Sequence, residues 1–391
     1  MAVNPSTASL LDTARALRPR IEAFGDQIER DRQLPTALVD LLHEFRLFRL
    51  LLPRELGGHE VDPVTFAQVI EAIAQADAST AWCLCQACGC SMTSAYLDEQ
   101  TAEEIFRDPR AVLAWGQPAG ARAVAVPGGY RVTAQWLFAS GAHHATWLGG
   151  ISAPIFEEDG RPRLRPDGAQ DGRTMLFPAQ DAELLDVWQV SGLRGTGSDT
   201  IKVDNLFVPE AHTSREETAE RRMQAPLYQF LRGALYSSGF SSVAMGIARS
   251  MLESLIDLAA SKTPRGRPST LRENAVIQRQ VAVSEAMLGS ARAYLHATLR
   301  DAWAAANERG ELSLEHRVRI RLATTFGAHQ AVSVAQTVYH AAGSNAIFAN
   351  NPFERRFRDI HAVSQQVQAR QAHFETAGQY FLGLEPDQTF M

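Results

Sequence analysis

The sequence is poor in cysteine, with four among 391 residues, and all four fall between Cys83 and Cys90. A disulfide scaffold needs cysteines spread along the chain, so this clustering excludes one and favours a reducing compartment, for which we predict the cytoplasm. The spacing C-x-C-x2-C-x-C also lacks the widely separated C-x2-C pairs that are typical of zinc sites. On a helix, the outer and inner thiols would face opposite directions. We therefore interpret them as small apolar side chains in a buried helix and predict no metal; a redox or metal role is the alternative.

The sequence also lacks an excess of positive charge and any long apolar run. Lys and Arg total 38 against 44 Asp and Glu, a formal net charge of −6, which argues against nucleic acid as the main partner. No stretch approaches the roughly 18 apolar residues of a membrane span. The N-terminus lacks a basic start followed by an apolar core, so no secretory signal is expected. We expect a soluble protein with no membrane partner.

Hydrophobic residues make up 45% of the chain, enough to bury a large core in two or three domains. Residues 1–110 repeat apolar positions at helical spacing and predict an N-terminal helical domain. Residues 111–215 carry short β-rich segments separated by Gly, Pro and Asp, with a hairpin turn at "PGG" (127–129). Residues 216–391 predict four long helices in a bundle. The expected fold is α+β but mostly α, with a central β-barrel-like domain between a helical domain and a C-terminal four-helix bundle.

Three stretches carry a resemblance to a known family. They are "VSGLRGTGSDTIKVDNLFVPE" (190–210), "ALYSSGFSSVAMGIARSMLES" (234–254) and "HAAGSNAIFANNPFERRFRDIHA" (340–362). In order and content they resemble the acyl-CoA dehydrogenase superfamily over nearly the full chain. The resemblance implies the acyl-CoA dehydrogenase fold and flavin chemistry between the β domain and the bundle. It also suggests a structural ion pair between Arg358 and Asp359.

The superfamily contains two reaction classes. Its FAD-dependent dehydrogenases remove a proton and a hydride from an acyl thioester, and the proton needs a carboxylate base. Many members place a Glu eight or nine residues past the Arg-Asp pair, where this chain has Gln366 and Val367. Glu253 and Glu285, on earlier bundle helices, are the residual candidates for a base. Each is more simply explained as a charge on a solvated helix face.

The second class comprises two-component monooxygenases, which take reduced flavin from a partner reductase and form a hydroperoxide with oxygen. The run "SGAHHATW" (140–147) resembles their Ser-Gly-x-x-His-Ala-x-Trp segment, whereas Phe138 stands where dehydrogenases have a Thr. The resemblance implies that Ser140 places a hydroxyl donor beside flavin N5. The expected cofactor contacts are Trp115, Gln117, Trp136, Phe138 and Ser140. Trp82 is expected in the substrate pocket.

At the position of the residue that would activate a phenolic substrate, this chain departs from the pattern of the monooxygenases. Members of this group commonly carry a His after the Arg-Asp pair, close to where Gln366 lies, and an amide is no general base at neutral pH. Gln366 is then expected to orient substrate or flavin, with His361 nearby in the pocket. His144 is the candidate base, and a buried, hydrogen-bonded histidine is the alternative. For the flavin phosphate, the loop "SKTPRGRP" offers Arg265, with two further basic residues beside it.

These observations predict the oxygenase component of a flavin-dependent monooxygenase. It would use reduced FMN or FAD and O2, with a separate NAD(P)H-dependent flavin reductase as partner. The substrate is expected to be small and aromatic or heterocyclic, and without a base it needs no phenolate activation. The resemblance also implies a homotetramer formed through the bundle. The alternatives are an FAD-dependent acyl-CoA dehydrogenase or related oxidase, and a flavin-free binding protein on the same scaffold.

Overall fold

The N-terminal part of the computed structural model, which describes residues 7–215 and 220–389, is helical as predicted. Its helices are α1 (Thr7–Ala16), α2 (Arg18–Glu22), α3 (Gly25–Asp31), α4 (Thr36–Glu44), α5 (Pro63–Ala76), α6 (Ala78–Ser91) and α7 (Glu99–Phe106). Asp77 begins α6 by accepting a hydrogen bond from the Thr80 amide at 2.7 Å, which satisfies one of the free N–H groups at the helix start.

Helix α6 contains all four cysteines, and each is a free, buried thiol. Burial raises the pKa of Cys88 to about 12 and moves the pKa of Cys83 and Cys85 in the same direction, so the thiols stay protonated at neutral pH. Within residues 7–215 and 220–389, no group of three or more His, Cys, Asp or Glu side chains is arranged to hold a metal ion. The thiols therefore fill space between packed helices.

The central domain is one curled sheet. Its strands are β1 (Leu113–Pro118), β2 (Arg122–Val126), β3 (Gly129–Leu137), β4 (Trp147–Phe156), β5 (Gly172–Pro178), β6 (Glu183–Leu185), β7 (Thr200–Pro209) and β8 (Thr213–Ser214). The order is β6-β7-β3-β1-β4-β5-β8, and β2 pairs with both β3 and β4, which curls the sheet into a barrel-like shape. The predicted hairpin is confirmed: Val126 pairs with Gly129, and Gly128 adopts φ +81° in the turn.

The C-terminal part contains α8 (Arg232–Ser261), α9 (Ala275–Arg309), α10 (Leu314–Ala342), α11 (Pro352–Ser364) and α12 (Ala372–Phe381). Three of these helices are long, whereas four long helices were predicted. The last predicted helix, 368–385, starts only at Ala372 and ends at Phe381, because the Gln366 side chain accepts a hydrogen bond from the Gln368 amide and caps a separate turn at 367–369. The predicted domain boundary at 215/216 adjoins residues 216–219, which lie outside the described residues.

Helix α8 lies at the centre, in contact with α5, α6, α10 and α11. Glycines allow this close approach: a Cβ at Gly246 would lie 2.5 Å from the Glu71 carbonyl oxygen of α5, and one at Gly239 would lie 2.3 Å from Cys85 Sγ of α6. The helical domain and the bundle therefore share one core. Over the described ranges, 7–215 and 220–389, no helix is both long and apolar enough to cross a bilayer.

Two helical glycines give a matched test of this packing. Gly246→Ala should lower the free energy of unfolding by about 1–3 kcal/mol, because its new Cβ meets the α5 backbone. Gly289→Ala on α9, where no atom lies within 4 Å of the new Cβ, should raise stability by up to about 1 kcal/mol through helix propensity. Chemical denaturation of both variants measures the difference. Equal effects would contradict the close packing of α5 and α8.

Candidate active site

Ser140 and Trp82, both selected from the sequence, lie together where the helical domain meets the β domain. The Trp82 indole N–H on α6 donates to Ser140 Oγ at 3.0 Å, and the two side chains are 7% and 6% exposed. The bundle closes the third side, since Phe240 of α8 stacks on Trp82 with ring centroids 4.0 Å apart. Tyr236 stacks in turn on Phe240 at 5.5 Å. A buried hydroxyl thus borders an aromatic wall built from two helices.

Ser140 is also the end of a chain of hydroxyl groups. Its Oγ lies 2.6 Å from Ser198 Oγ, and Ser198 Oγ lies 2.7 Å from Thr196 Oγ1. Thr196 donates to the Leu193 carbonyl at 2.9 Å. Thr196 and Ser198 were not predicted from the sequence as site residues. They lie in the stretch 190–210 that carries the family resemblance, but its spacing does not reveal that their hydroxyls meet Ser140.

The loop that carries Ser140 is held in place by a contact between His143 and Asp199. His143 Nε2 lies 2.7 Å from Asp199 Oδ2, and the Ala139 amide donates to the Asp199 carbonyl at 3.0 Å. The other carboxylate oxygen of Asp199 accepts from the amides of Val187 and Trp188 at 2.8 and 2.9 Å. Asp199 therefore joins the β3–β4 loop to the segment before β7. The contact between His143 and Asp199 could not be predicted from the sequence, because nothing in the run "SGAHHATW" distinguishes His143 from its neighbour His144.

The segment 191–199 is held between the N-terminal helices and α11. A Cβ at Gly195 would lie 2.0 Å from the Ile28 side chain of α3, and one at Gly192 would lie 2.2 Å from the Arg358 carbonyl oxygen of α11. Asp359 Oδ1 accepts from the Leu193 amide at 2.7 Å. These contacts leave the segment little freedom, so the hydroxyls of Thr196 and Ser198 are fixed in position.

The suggested ion pair between Arg358 and Asp359 does not form. Arg358 pairs with Glu354 and, at 2.8 Å, with Glu29 of α3, because neighbours on a helix point away from each other. Burial of the Asp359 carboxyl group raises its pKa from 3.8 to about 7. The nearby acidic groups of Asp77 and Glu29 shift the pKa in the same direction. Asp359 is thus a hydrogen-bond acceptor for the backbone of the site segment.

His144 lies under the turn at Gly141, where a Cβ would be 3.1 Å from its imidazole ring. Its ring centroid is 5.5 Å from that of Phe48, and its Nε2 is buried without a hydrogen-bond partner among residues 7–215 and 220–389. Burial, with smaller effects from His43 and His143, lowers the pKa of His144 to about 3. The imidazole is therefore neutral at pH 7 and a weak base, which argues against the general-base role considered from the sequence.

The predicted cofactor residues of the β domain fall into two groups. Trp115 and Trp136 are buried at 1% and 0% exposure, and Trp136 fills the interior of the sheet, where a Cβ at Gly150 would lie 2.0 Å from its indole. Gln117 and Phe138 are on the surface. Phe138 has φ +61°, an uncommon backbone conformation for a bulky residue, and its ring is 59% exposed. The Phe138 ring packs edge-on against Trp188, with ring centroids 6.2 Å apart.

The predicted site residues of the bundle are not joined to this cluster by any contact among the described residues. The Gln366 amide oxygen accepts from Gln368 N at 2.5 Å, within its own turn. His361 packs edge-on against Phe357, with ring centroids 4.5 Å apart. Arg265 is exposed in the loop that follows α8. Their proposed roles therefore rest on the resemblance alone.

The two residual candidates for a dehydrogenase base are committed to ion pairs. Glu253 lies 2.9 Å from Arg18, and Glu285 makes a bidentate pair with Arg249 at 2.6 and 2.8 Å. The hydrogen bonds from Arg249 lower the pKa of Glu285, which weakens it as a base. Neither carboxylate contacts Trp82, Ser140 or another residue of the hydroxyl chain within the described parts of the structure.

A cavity of about 440 Å³ lies between the start of α8 and strands β4, β5 and β8. Arg232 lines this cavity and places its guanidinium 4.4 Å from the ring centre of Trp115. Arg215, on the opposite side, is neutralised by a bidentate bond to the buried Asp171. The cavity is therefore polar, with one aromatic contact through Arg232 to the predicted cofactor residue Trp115.

The fold and this arrangement define a class. Residues 5–106 match the acyl-CoA dehydrogenase N-terminal domain, and residues 238–371 match the acyl-CoA dehydrogenase C-terminal domain. The chain belongs to the acyl-CoA dehydrogenase superfamily, and the predicted fold is confirmed.

Individual relatives narrow the comparison to the monooxygenases of the superfamily. The indole-3-acetate monooxygenase of Pseudomonas putida is 27% identical over 99% of this chain and 95% of its own. The oxygenase subunit HsaA of Rhodococcus jostii, a flavin-dependent monooxygenase, is 28% identical over 89% of this chain and 91% of its own. The crystal structure of 3-HSA hydroxylase from Rhodococcus sp. RHA1 superposes with a TM-score of 0.89, at 25% identity over 98% of both chains. The predicted resemblance to two-component flavin-dependent monooxygenases is confirmed.

The buried Asp359 predicts a specific dependence of stability on pH. The folded state keeps the Asp359 proton up to about pH 7, whereas the unfolded chain releases it near its ordinary pKa of 3.8. The free energy of unfolding should therefore fall as pH rises from about 4 to 7, by up to about 1.4 kcal/mol per pH unit. Asp359→Asn keeps an acceptor for the Leu193 amide but no ionisable group, so its profile should be flatter.

Urea denaturation at several pH values between 4 and 8 measures both profiles. Asp301→Asn, at an exposed position of α9, controls for the substitution itself. Parallel profiles for the wild type and Asp359→Asn would contradict the assignment of the titrating group.

Proposed function

We propose that this chain is the oxygenase component of a two-component flavin-dependent monooxygenase. The observation that carries the proposal is the buried Ser140 hydroxyl, which Trp82 and Ser198 hold by hydrogen bonds in the run that resembles the monooxygenases. Ser140 faces flavin N5 in this proposal. Full-length relatives with that activity support it.

The residues around Ser140 fit an isoalloxazine ring. A flat, partly polar ring needs aromatic surfaces and a few fixed hydrogen-bonding groups, which Trp82, Phe138 and Ser140 provide. When bound, reduced FMN or FAD supplies the electrons that reduce O2 as one oxygen atom passes to the substrate. The protein's own residues then orient the ring, exclude water and hold the Ser140 hydroxyl in place. Arg265 is the proposed phosphate ligand.

Both flavins occur among the similar structures. XiaF from Streptomyces, in complex with FADH2, has a TM-score of 0.90 at 24% identity over 97% of this chain and 96% of its own. KijD3, in complex with FMN, has a TM-score of 0.81 at 23% identity over 100% of this chain and 97% of its own. These two likenesses bear on the fold alone. We propose that a separate NAD(P)H-dependent flavin reductase delivers the reduced cofactor.

The proposed substrate is a small aromatic or heterocyclic compound that reacts without prior deprotonation. His144 is a weak base because of its low pKa, and Gln366 is an amide. An indole-like ring, a thioether or an amine meets this condition, whereas a phenol that must ionise does not. The 440 Å³ cavity beside Arg232 and Trp115 is within the range of small-molecule pockets, roughly 300–1,000 Å³. We propose it as the substrate side of the site.

Assembly and compartment follow the same proposal. Exposed apolar side chains occur on the bundle, among them Ile256, Val276, Val283 and Phe381, and such surface often marks subunit contacts. We propose a homotetramer formed through these helices, which sedimentation would measure. Buried free thiols favour a reducing compartment, for which we propose the cytoplasm.

The decisive experiment mixes the anaerobic complex of protein and reduced flavin with oxygen in a stopped-flow spectrometer. We expect purified protein that is nearly colourless and binds reduced flavin better than oxidised flavin. Oxygen should then produce a transient absorbance unlike either the reduced or the oxidised spectrum. Protein that purifies yellow with tightly bound FAD, and is bleached anaerobically by an acyl thioester, would instead establish the dehydrogenase alternative.

Ser140→Ala tests the residue that carries the proposal. The variant should bind reduced flavin nearly as well as the wild type but release severalfold more hydrogen peroxide per product, because the bound ring loses a fixed polar contact. Ser290→Ala, at an exposed position on α9, is the matched control and should not change the ratio. Unchanged coupling in Ser140→Ala would remove Ser140 from the mechanism.

A further inference from the structure

The hydroxyl chain has a fixed number of protons, and this sets what Ser140 offers to a ligand. Each of Ser140, Ser198 and Thr196 has one O–H donor and two acceptor lone pairs. The Trp82 indole only donates, so one lone pair of Ser140 is taken at that 3.0 Å contact. At the other end, the Leu193 carbonyl only accepts, so Thr196 directs its proton to it at 2.9 Å.

The direction of every bond between these ends follows. Because the Thr196 proton is used on Leu193, the 2.7 Å contact requires Ser198 to donate to Thr196. The single proton of Ser198 is then used, so the 2.6 Å contact requires Ser140 to donate to Ser198. Ser140 therefore has no proton left to donate to a bound ligand. It presents one lone pair to the ligand and acts as an acceptor, not as the donor expected from the resemblance.

We infer that Ser198 and Thr196 are positioning residues that make Ser140 a hydrogen-bond acceptor and thereby select reduced over oxidised flavin. The inference rests on the proposed function, in which Ser140 faces N5. Reduced flavin carries an N5–H donor, which matches a lone pair on Ser140. Oxidised flavin carries a lone pair at N5, which meets the lone pair on Ser140 without a proton between them.

The opposite direction of the chain is available at a cost. If Thr196 turned its proton to Ser198, Ser198 could donate to Ser140 and Ser140 to oxidised N5. That arrangement loses the bond from the Thr196 hydroxyl to Leu193, although Trp188 Nε1 and the Thr196 amide still donate to the same carbonyl at 3.0 and 3.2 Å. The two arrangements therefore differ in free energy by the net contribution of about one hydrogen bond. That difference corresponds to about a three- to tenfold preference for reduced flavin.

Two substitutions change the direction without touching Ser140. Thr196→Val is nearly isosteric and removes the group to which Ser198 donates, so the Ser198 proton turns to Ser140 and the Ser140 proton turns outward. Ser198→Ala removes the group that accepts the Ser140 proton, so that Ser140 can donate this proton to a bound ligand. In both variants the ratio of affinities for reduced and oxidised FMN should fall by about three- to tenfold. The measurement is anaerobic titration of each form, followed by flavin fluorescence or absorbance.

A purely structural role for these residues would weaken both forms of FMN equally and leave the ratio unchanged. Thr200→Val, also buried but outside the hydroxyl chain, is the matched control and should keep the wild-type ratio. Thermal unfolding checks that each variant folds, and Ser198→Ala decides the question if Thr196→Val does not. A folded variant of either kind with the wild-type ratio overturns the inference while leaving the proposed function intact. Wild-type protein that binds neither form of FMN or FAD overturns the proposed function itself.

Discussion

The site depends on one hydrogen bond between distant parts of the chain, from the Leu193 amide to the Asp359 carboxyl group. That bond attaches the segment 191–199 to the bundle, while Gly195 fits against α3 and the first turn of α6 on the other side. Because the hydroxyl chain ends on the Leu193 carbonyl, the same residue that anchors the segment also directs the protons that reach Ser140. The three domains are therefore coupled through a few atoms of one loop.

Much of the fold could be predicted from the sequence because its signals are local. Helical spacing, the turn at Gly128 and the breaks at proline gave the order of helices and strands, and short motifs gave the superfamily. The late start of the last helix, at Ala372 rather than at residue 368, could not be predicted, because it depends on a turn capped by the Gln366 side chain rather than on a Gly or Pro. Contacts between residues far apart in the sequence could not be predicted either. Asp359 was expected to pair with its neighbour Arg358, but it accepts a hydrogen bond from the Leu193 amide.

The same limit applies to the site. Ser140 could be named because it lies in a recognisable run and Trp82 because it is aromatic, and the two side chains are in contact. Thr196 and Ser198 act through directed hydrogen bonds, which no spacing rule encodes. The environment of His144 was also beyond the sequence, since burial beneath Phe48 rather than residue type decides that its imidazole stays neutral.

The cysteines of α6 acquire a meaning from their surroundings. An enzyme that handles oxygen and leaks some peroxide endangers its own sulfur, and the thiolate is the form that peroxide attacks. Burial raises the pKa of Cys88 to about 12, so its thiol stays protonated at neutral pH. Buried in the core of the helical domain, the thiols give α6 small, polarizable packing and are shielded from such oxidation.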